Sequence, residues 1–178
     1  MNKAKHFIAR IVALSAVFVG GIAVLNANPV SAKAHHAKTH KHYNVRKHTF
    51  KVGETATYEG VEMKVNSVTY TDHIGDSTPD DGKQYVIVSM TLDNKAKKHA
   101  DYNDTNFKFD NNGDAQDAET VSEDSNEMND GTLDPHAKIT KDVIGKVPTN
   151  VDKSKLKLVY QPMFFDDEVT VHFSLNQQ

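Results

Sequence analysis

Five histidines fall within fourteen residues, at His35, His36, His40, His42 and His48, in the stretch HHAKTHKHYNVRKH. Neutral imidazole is a good ligand for Zn²⁺, Ni²⁺ and Cu²⁺, so His35, His36, His40 and His42 form a candidate transition-metal site. His36 and His40 would share a face if a helical turn formed, and His40 and His42 could chelate together from an extended chain. Yet the stretch holds no carboxylate or thiolate, and Lys38, Lys41, Arg46 and Lys47 would repel a cation. The competing reading is a soluble basic tether whose histidines are compositional. A third use is electrostatic: Lys and Arg, joined by protonated His at acidic pH, would attract anionic cell-wall polymers or phospholipid headgroups.

Other side chains with ligand or catalytic potential are less organised. Asp110, Asn112, Asp114, Asp117 and Glu119 offer the hard oxygens that Ca²⁺ takes. Gly113 falls too early for an EF-hand loop and no Glu closes it, so the expectation is an ordinary hairpin with solvated carboxylates. Asp166-Asp167-Glu168 reads as a solvated turn. There is no G-x-S-x-G elbow, H-E-x-x-H pair, P-loop or dinucleotide fingerprint. His73, His99, His136 and His172 are scattered, the last on the outward face of its strand. The expectation is therefore a protein that is not an enzyme and needs no cofactor, metal on the arm aside. Met163-Phe164-Phe165, just after Pro162, breaks the apolar alternation. Such a cluster more often plugs the end of a sandwich, but it could also be an exposed anchor for a protein partner.

The elements that carry these residues divide into three. Lys3, Lys5 and Arg10 precede the apolar run Ile11 to Leu25, and Val30-Ser31-Ala32 or Ala32-Lys33-Ala34 offers a small-x-small cleavage pattern. Residues 1–34 are read as a secretory signal peptide. The run is short of the ~20 residues needed to span a bilayer, so no membrane span is expected after cleavage. Residues 35–48 are too polar to bury a core and read as a flexible His/Lys-rich arm. Residues 49–178 form the domain.

Loss of residues 1–34 removes four basic residues and no acid, leaving 17 Lys and Arg against 24 Asp and Glu, a balance of −7. A modestly acidic chain with no basic face argues against nucleic acid. With no cysteine there is no disulfide, thiol nucleophile or lipid-bearing N-terminal Cys. An exported chain of this composition fits a Gram-positive bacterium, secreted and at most loosely associated with the wall.

Beyond residue 49 the apolar period is two. Val61, Met63 and Val65 share a face, and Val68 and Tyr70 resume it after a phase slip at Asn66-Ser67 that predicts a bulge. YVIVSMTL (85–92) is apolar enough for a central strand. Phe107 and Phe109 precede Asn112-Gly113, a strong hairpin signal, with AQDAETV (115–121) as the return strand and residues 122–130 as an exposed loop. AKITKDVIGKV (137–147), stopped by Pro148, then LKLVYQ (156–161) and VTVHFSL (169–175) complete the strands. Seven or more short strands with turn-rich connections and no helical period predict an all-β, antiparallel β-sandwich.

The ordered segments VGETATYEGVEMKVNSV (52–68), GKQYVIVSMTLDN (82–94), FKFDNNGD (107–114), LDPHAKITKDVIGKVP (133–148) and LKLVYQPMFF (156–165) resemble a bacterial secreted domain-of-unknown-function family. That resemblance implies a telokin-like, immunoglobulin-like β-sandwich outside the cell and no agreed activity. In the family the segment matching LDPHAKITK usually carries a proline-glycine turn, from which His136 departs. The expected function is a secreted, non-enzymatic binding or cell-envelope module whose partner is a protein, a glycan or an anionic wall polymer. Extracellular transition-metal binding through the arm is the alternative.

Overall fold

Alternating side chains put one face of most strands toward a common core, and two sheets close over it. A computed structural model describes residues 48–121, 124–162 and 170–176. These lie in one compact unit of the chain, residues 40–178. Eleven strands form among the described residues: β1 (Thr49–Phe50), β2 (Thr55–Tyr58), β3 (Val61–Thr71), β4 (Lys83–Asn94), β5 (Ala100–Tyr102), β6 (Phe107–Asn111), β7 (Asp114–Asp117), β8 (Gly131–Leu133), β9 (Lys138–Pro148), β10 (Leu156–Tyr160) and β11 (Val171–Ser174). One 3₁₀ turn spans Asp104–Asn106. Among the described residues no helix is long and apolar enough to cross a membrane.

One sheet runs β1-β11-β10-β6-β7 and the other β2-β3-β4-β9, with β5 and β8 as a separate ribbon. Strands β4 and β9 pair in one sheet as B and E do in an immunoglobulin domain. In the other, β6, β10 and β11 pair as C, F and G, with β7 as C′. Strand β1 lies parallel to β11, and every other strand pairing is antiparallel. The fold is an immunoglobulin-like β-sandwich.

The core is built from Phe50, Met63, Val65, Val86, Val88, Met90, Phe107, Phe109, Leu156, Leu158, Val171 and Phe173, all nearly inaccessible to solvent. Each such side chain contributes about 1.5–3 kcal/mol of burial free energy before entropy is subtracted. The β3–β4 register shifts between Val65 and Ser67, leaving Asn66 as the extra residue of a bulge. That shift lets Met63, Val65 and Val68 all face inward. Asn112 and Gly113, at φ 57° and 98°, turn β6 into β7, the left-handed pair that a two-residue hairpin needs. His136 takes φ 64° in its turn, the conformation that a glycine would adopt at less cost.

The acidic connection departs from expectation. The return strand ends at Asp117, and the segment after it is not an exposed loop: Glu127 and Met128 are buried. Glu119 N–H donates to Ile144 O (2.8 Å), Met128 N–H to Asp142 O (2.8 Å) and Asp142 N–H to Asn126 O (3.0 Å). These bonds lay the connection along β9, the edge of its sheet, so the edge's backbone groups are covered. A second cluster of Ile74, Tyr85, Val121 and Ile144 forms beneath it. That cover explains why β4 is apolar on both faces: Tyr85 and Ile87 pack outward into this cluster while Val86 and Val88 pack inward.

Glu127, 4% exposed, holds the strap by accepting Val121 N–H at Oε1 (2.7 Å). Burial, then the nearby Asp104 and Asp124 carboxylates, raise its pKa despite that bond. A raised carboxyl binds its proton more tightly folded than unfolded. Its contribution to stability is therefore fully present below the unfolded pKa of about 4.3 and lost as pH rises through the folded value. Glu127→Gln keeps the acceptor without the charge. It is expected to stabilise the chain by on the order of 1 kcal/mol at pH 7.5 and by almost nothing at pH 4. Urea unfolding at the two pH values checks this; an equal effect at both would show that the charge is immaterial.

Candidate functional site

A cleft of about 430 Å³ opens at one end of the sandwich, between the ends of the two sheets and the β5–β8 ribbon. Its shape begins with a buried amide. Asn94, fully buried at the end of β4, shares its two Nδ2 hydrogens among Lys98 O (2.8 Å), Leu133 O (3.2 Å) and Asp134 O (3.1 Å). Its Oδ1 accepts Ala96 N–H at 3.0 Å. One side chain thus ties the β4–β5 loop to the end of β8 and fixes where the ribbon stands.

On that ribbon Tyr102 pairs with Gly131. A Cβ at Gly131 would stand 2.5 Å from Tyr102 Cζ, so the tyrosine lies across β8 only because position 131 has no side chain. Asn103 Oδ1 then accepts Thr105 N–H (2.9 Å), starting the 3₁₀ turn that leads into Phe107. Phe107 pairs with Tyr160 across β6–β10, their rings 5.2 Å apart at 53°. The third tyrosine, Tyr58, comes from β2 in the other sheet, its ring 6.1 Å from that of Tyr160 and roughly edge-on. Such offset and edge-to-face spacings are the favourable ones for aromatic pairs.

The rim is acidic. Glu59 and Gly60, at φ 48° and 85°, turn β2 into β3 and hold Glu59 exposed at the cleft edge. Asp101 and Asp130 line it too, Asp101 accepting Thr132 Oγ1–H at 2.8 Å. Among the described residues neither Glu59 nor Asp130 has an ion-pair partner. Lys98 and His99 also line the cleft, with His99 Nδ1 3.0 Å from Asp134 Oδ1. The Tyr160 phenol is pushed up to about 12, first by burial and then by Tyr58 and Glu59. It therefore stays a neutral ring carrying a donor hydroxyl across the physiological range. The arrangement can hold an apolar or cationic group against aromatic faces.

His35, His36, His40 and His42 lie outside the described residues, as do Met163, Phe164 and Phe165. Pro162, which immediately precedes the latter three, lines the cleft. Among the described residues no three His, Asp or Glu side chains gather as a metal centre. Asp110 Oδ1 instead accepts Gly113 N–H (2.7 Å), Asp117 faces Lys108 (3.6 Å) and Glu119 faces Lys146 (3.3 Å). His172 is half-buried on its strand and lies 2.9 Å from Thr170 Oγ1.

The aromatic cleft was not visible as a motif, and Tyr160 stood only as one position of the strand candidate LKLVYQ. A signal was nonetheless present: Tyr58 and Tyr102 each stand at a strand end beside an acidic residue, Glu59 and Asp101.

A family model described as a domain of unknown function (DUF4352) matches residues 50–170. No curated protein matches the chain. Among solved structures, the yjhA protein from Bacillus subtilis is similar with a TM-score of 0.58 at 22% identity, over 72% of this chain and 100% of that one. The ycdA protein of Bacillus subtilis, described as a "putative lipoprotein", is similar with a TM-score of 0.55 at 19% identity. That match covers 67% of this chain and 38% of the longer protein. Both likenesses are of fold.

Proposed function

The chain belongs to the DUF4352 family of domains of unknown function, and from that premise we propose that it is a secreted, non-enzymatic binding module that seats its ligand in the cleft at the β5–β8 end. The observation that carries the reading is the built character of that cleft. Three half-buried tyrosines from both sheets and the ribbon converge on a space whose volume falls in the range of small-ligand sites. The signal-peptide pattern of residues 1–34 supports an extracellular address, where the ligand would be a protein or glycan group of the envelope.

The test is an NMR titration of the ¹⁵N-labelled full chain with three probes: N-acetylglucosamine, N-acetyl-alanine amide and choline. At least one should produce saturable shifts clustered at residues 58–60, 100–103 and 131–133. Gly131→Ala would displace the Tyr102 ring and should abolish those shifts while leaving the remaining resonances in place. Three probes without a clustered response would sink the reading.

A further inference from the structure

We infer that the cleft takes an alkylammonium group, held against the faces of Tyr58, Tyr102 and Tyr160 and balanced by the Glu59 and Asp130 carboxylates. This deepens the binding reading above and rests on it.

Two independent features of the site agree. The first is the wall: three tyrosines line it, with Phe107 buried behind Tyr160. An aromatic face carries negative quadrupolar charge, and a cation within about 6 Å of the ring centroid is attracted to it, more strongly when partly desolvated.

The second is charge. Glu59, Asp101 and Asp130 stand against Lys98 and His99 around the opening, and His99 already has Asp134 beside it. Glu59 and Asp130 have no ion-pair partner among the described residues. The left-handed turn sets the Glu59 backbone at the edge of the opening. An anion would meet this rim at a disadvantage. A neutral sugar could stack on the rings but would leave the rim's excess charge unanswered. A positively charged head on an apolar stem satisfies both features, and the same rim would draw it in at low ionic strength.

Ammonium groups of this kind come from two sources, a quaternary choline-type headgroup or the primary amine of a lysine side chain. Choline and Nα-acetyl-lysine amide are therefore titrated in parallel into the ¹⁵N-labelled full chain, at low salt. The neutral isostere of choline, 3,3-dimethylbutan-1-ol, and N-acetylglucosamine serve as comparisons.

At least one cation should give saturable shifts at residues 58–60, 100–103 and 131–133, and the tighter of the two identifies the source. The neutral isostere should bind about tenfold more weakly than choline if choline is that cation. Glu59→Gln and Asp130→Asn, both at exposed positions where folding is not at stake, should each weaken the cation about threefold. Raising the salt to 0.5 M should weaken it further. Equal binding of choline and its isostere, or cation binding indifferent to both substitutions and to salt, would overturn the inference. If N-acetylglucosamine shifts the cleft and neither cation does, the ligand class is wrong while the cleft stands as a site. If no probe shifts it, both readings fall.

Discussion

Replacing Asn94 by alanine is expected to lower the unfolding free energy by about 3 kcal/mol, a large share of a single domain's stability. The side chain is fully buried and uses both of its ends. Its amide donates to the carbonyls of Lys98, Leu133 and Asp134, and its oxygen takes Ala96 N–H. Alanine removes all of these at once. A buried carbonyl such as that of Leu133 would lose its donor with little water to replace it, which costs more than the loss of an exposed bond. Asn94→Asp is the sharper variant. A carboxylate can still accept from Ala96 but turns negative charge toward three carbonyl oxygens, so it should destabilise at least as much as alanine at pH 7. Urea unfolding followed by circular dichroism measures both. A loss below about 1 kcal/mol for alanine would mean the clamp is not what holds the ribbon. Because the same residue sets the position of β5 and β8, Asn94→Ala should also weaken any ligand of the cleft beyond its effect on stability.

What could be read from the chain beforehand divides along a physical line. The Asn66 bulge and the Asn112-Gly113 hairpin were legible because both are local. One is a slip in a two-residue period, the other a pair of residues suited to positive φ. The strap over β9 was not legible, because its order comes from backbone bonds to distant residues, Glu119 to Ile144 and Met128 to Asp142. Its polar composition pointed to an exposed loop, and only Met128, out of place among acids, hinted otherwise. The cleft was illegible for a related reason. Tyr58, Tyr102 and Tyr160 come from β2, β5 and β10, and no spacing along the chain brings together residues from three strand ends. Asn94 shows the same limit. Nothing next to it in the chain marks the burial that lets its one amide tie three carbonyls and an N–H together.

Gly145 also looks unremarkable in the sequence, a strand glycine that alanine should improve, and the opposite result is expected. Glycine in a strand interior ordinarily costs roughly 0.5–1 kcal/mol relative to alanine. Here Gly145 is buried in β9 opposite Val86, and a Cβ on it would stand 2.5 Å from Phe109 Cε2 and 2.9 Å from Cγ. Phe109 belongs to β6 in the facing sheet and is 1% exposed, so its ring rests on the bare backbone and has no free space to retreat into. Strand glycines often mark such close approaches. Gly145→Ala must push the ring off its position or part the sheets, and overpacking of this kind costs about 1–3 kcal/mol. We expect a loss near the upper end, about 3 kcal/mol, since the contact is with a rigid ring and not with the tip of a flexible chain. The control is Phe109→Leu, which shortens the intruding group and leaves a cavity of its own. If the ring is the obstacle, Gly145→Ala should cost markedly less in the Phe109→Leu background, with a coupling of about 1–2 kcal/mol across the cycle. Strict additivity would place the strain elsewhere in β9. A stabilising Gly145→Ala would mean that the two sheets do not approach as closely at this point as the Phe109 contact requires.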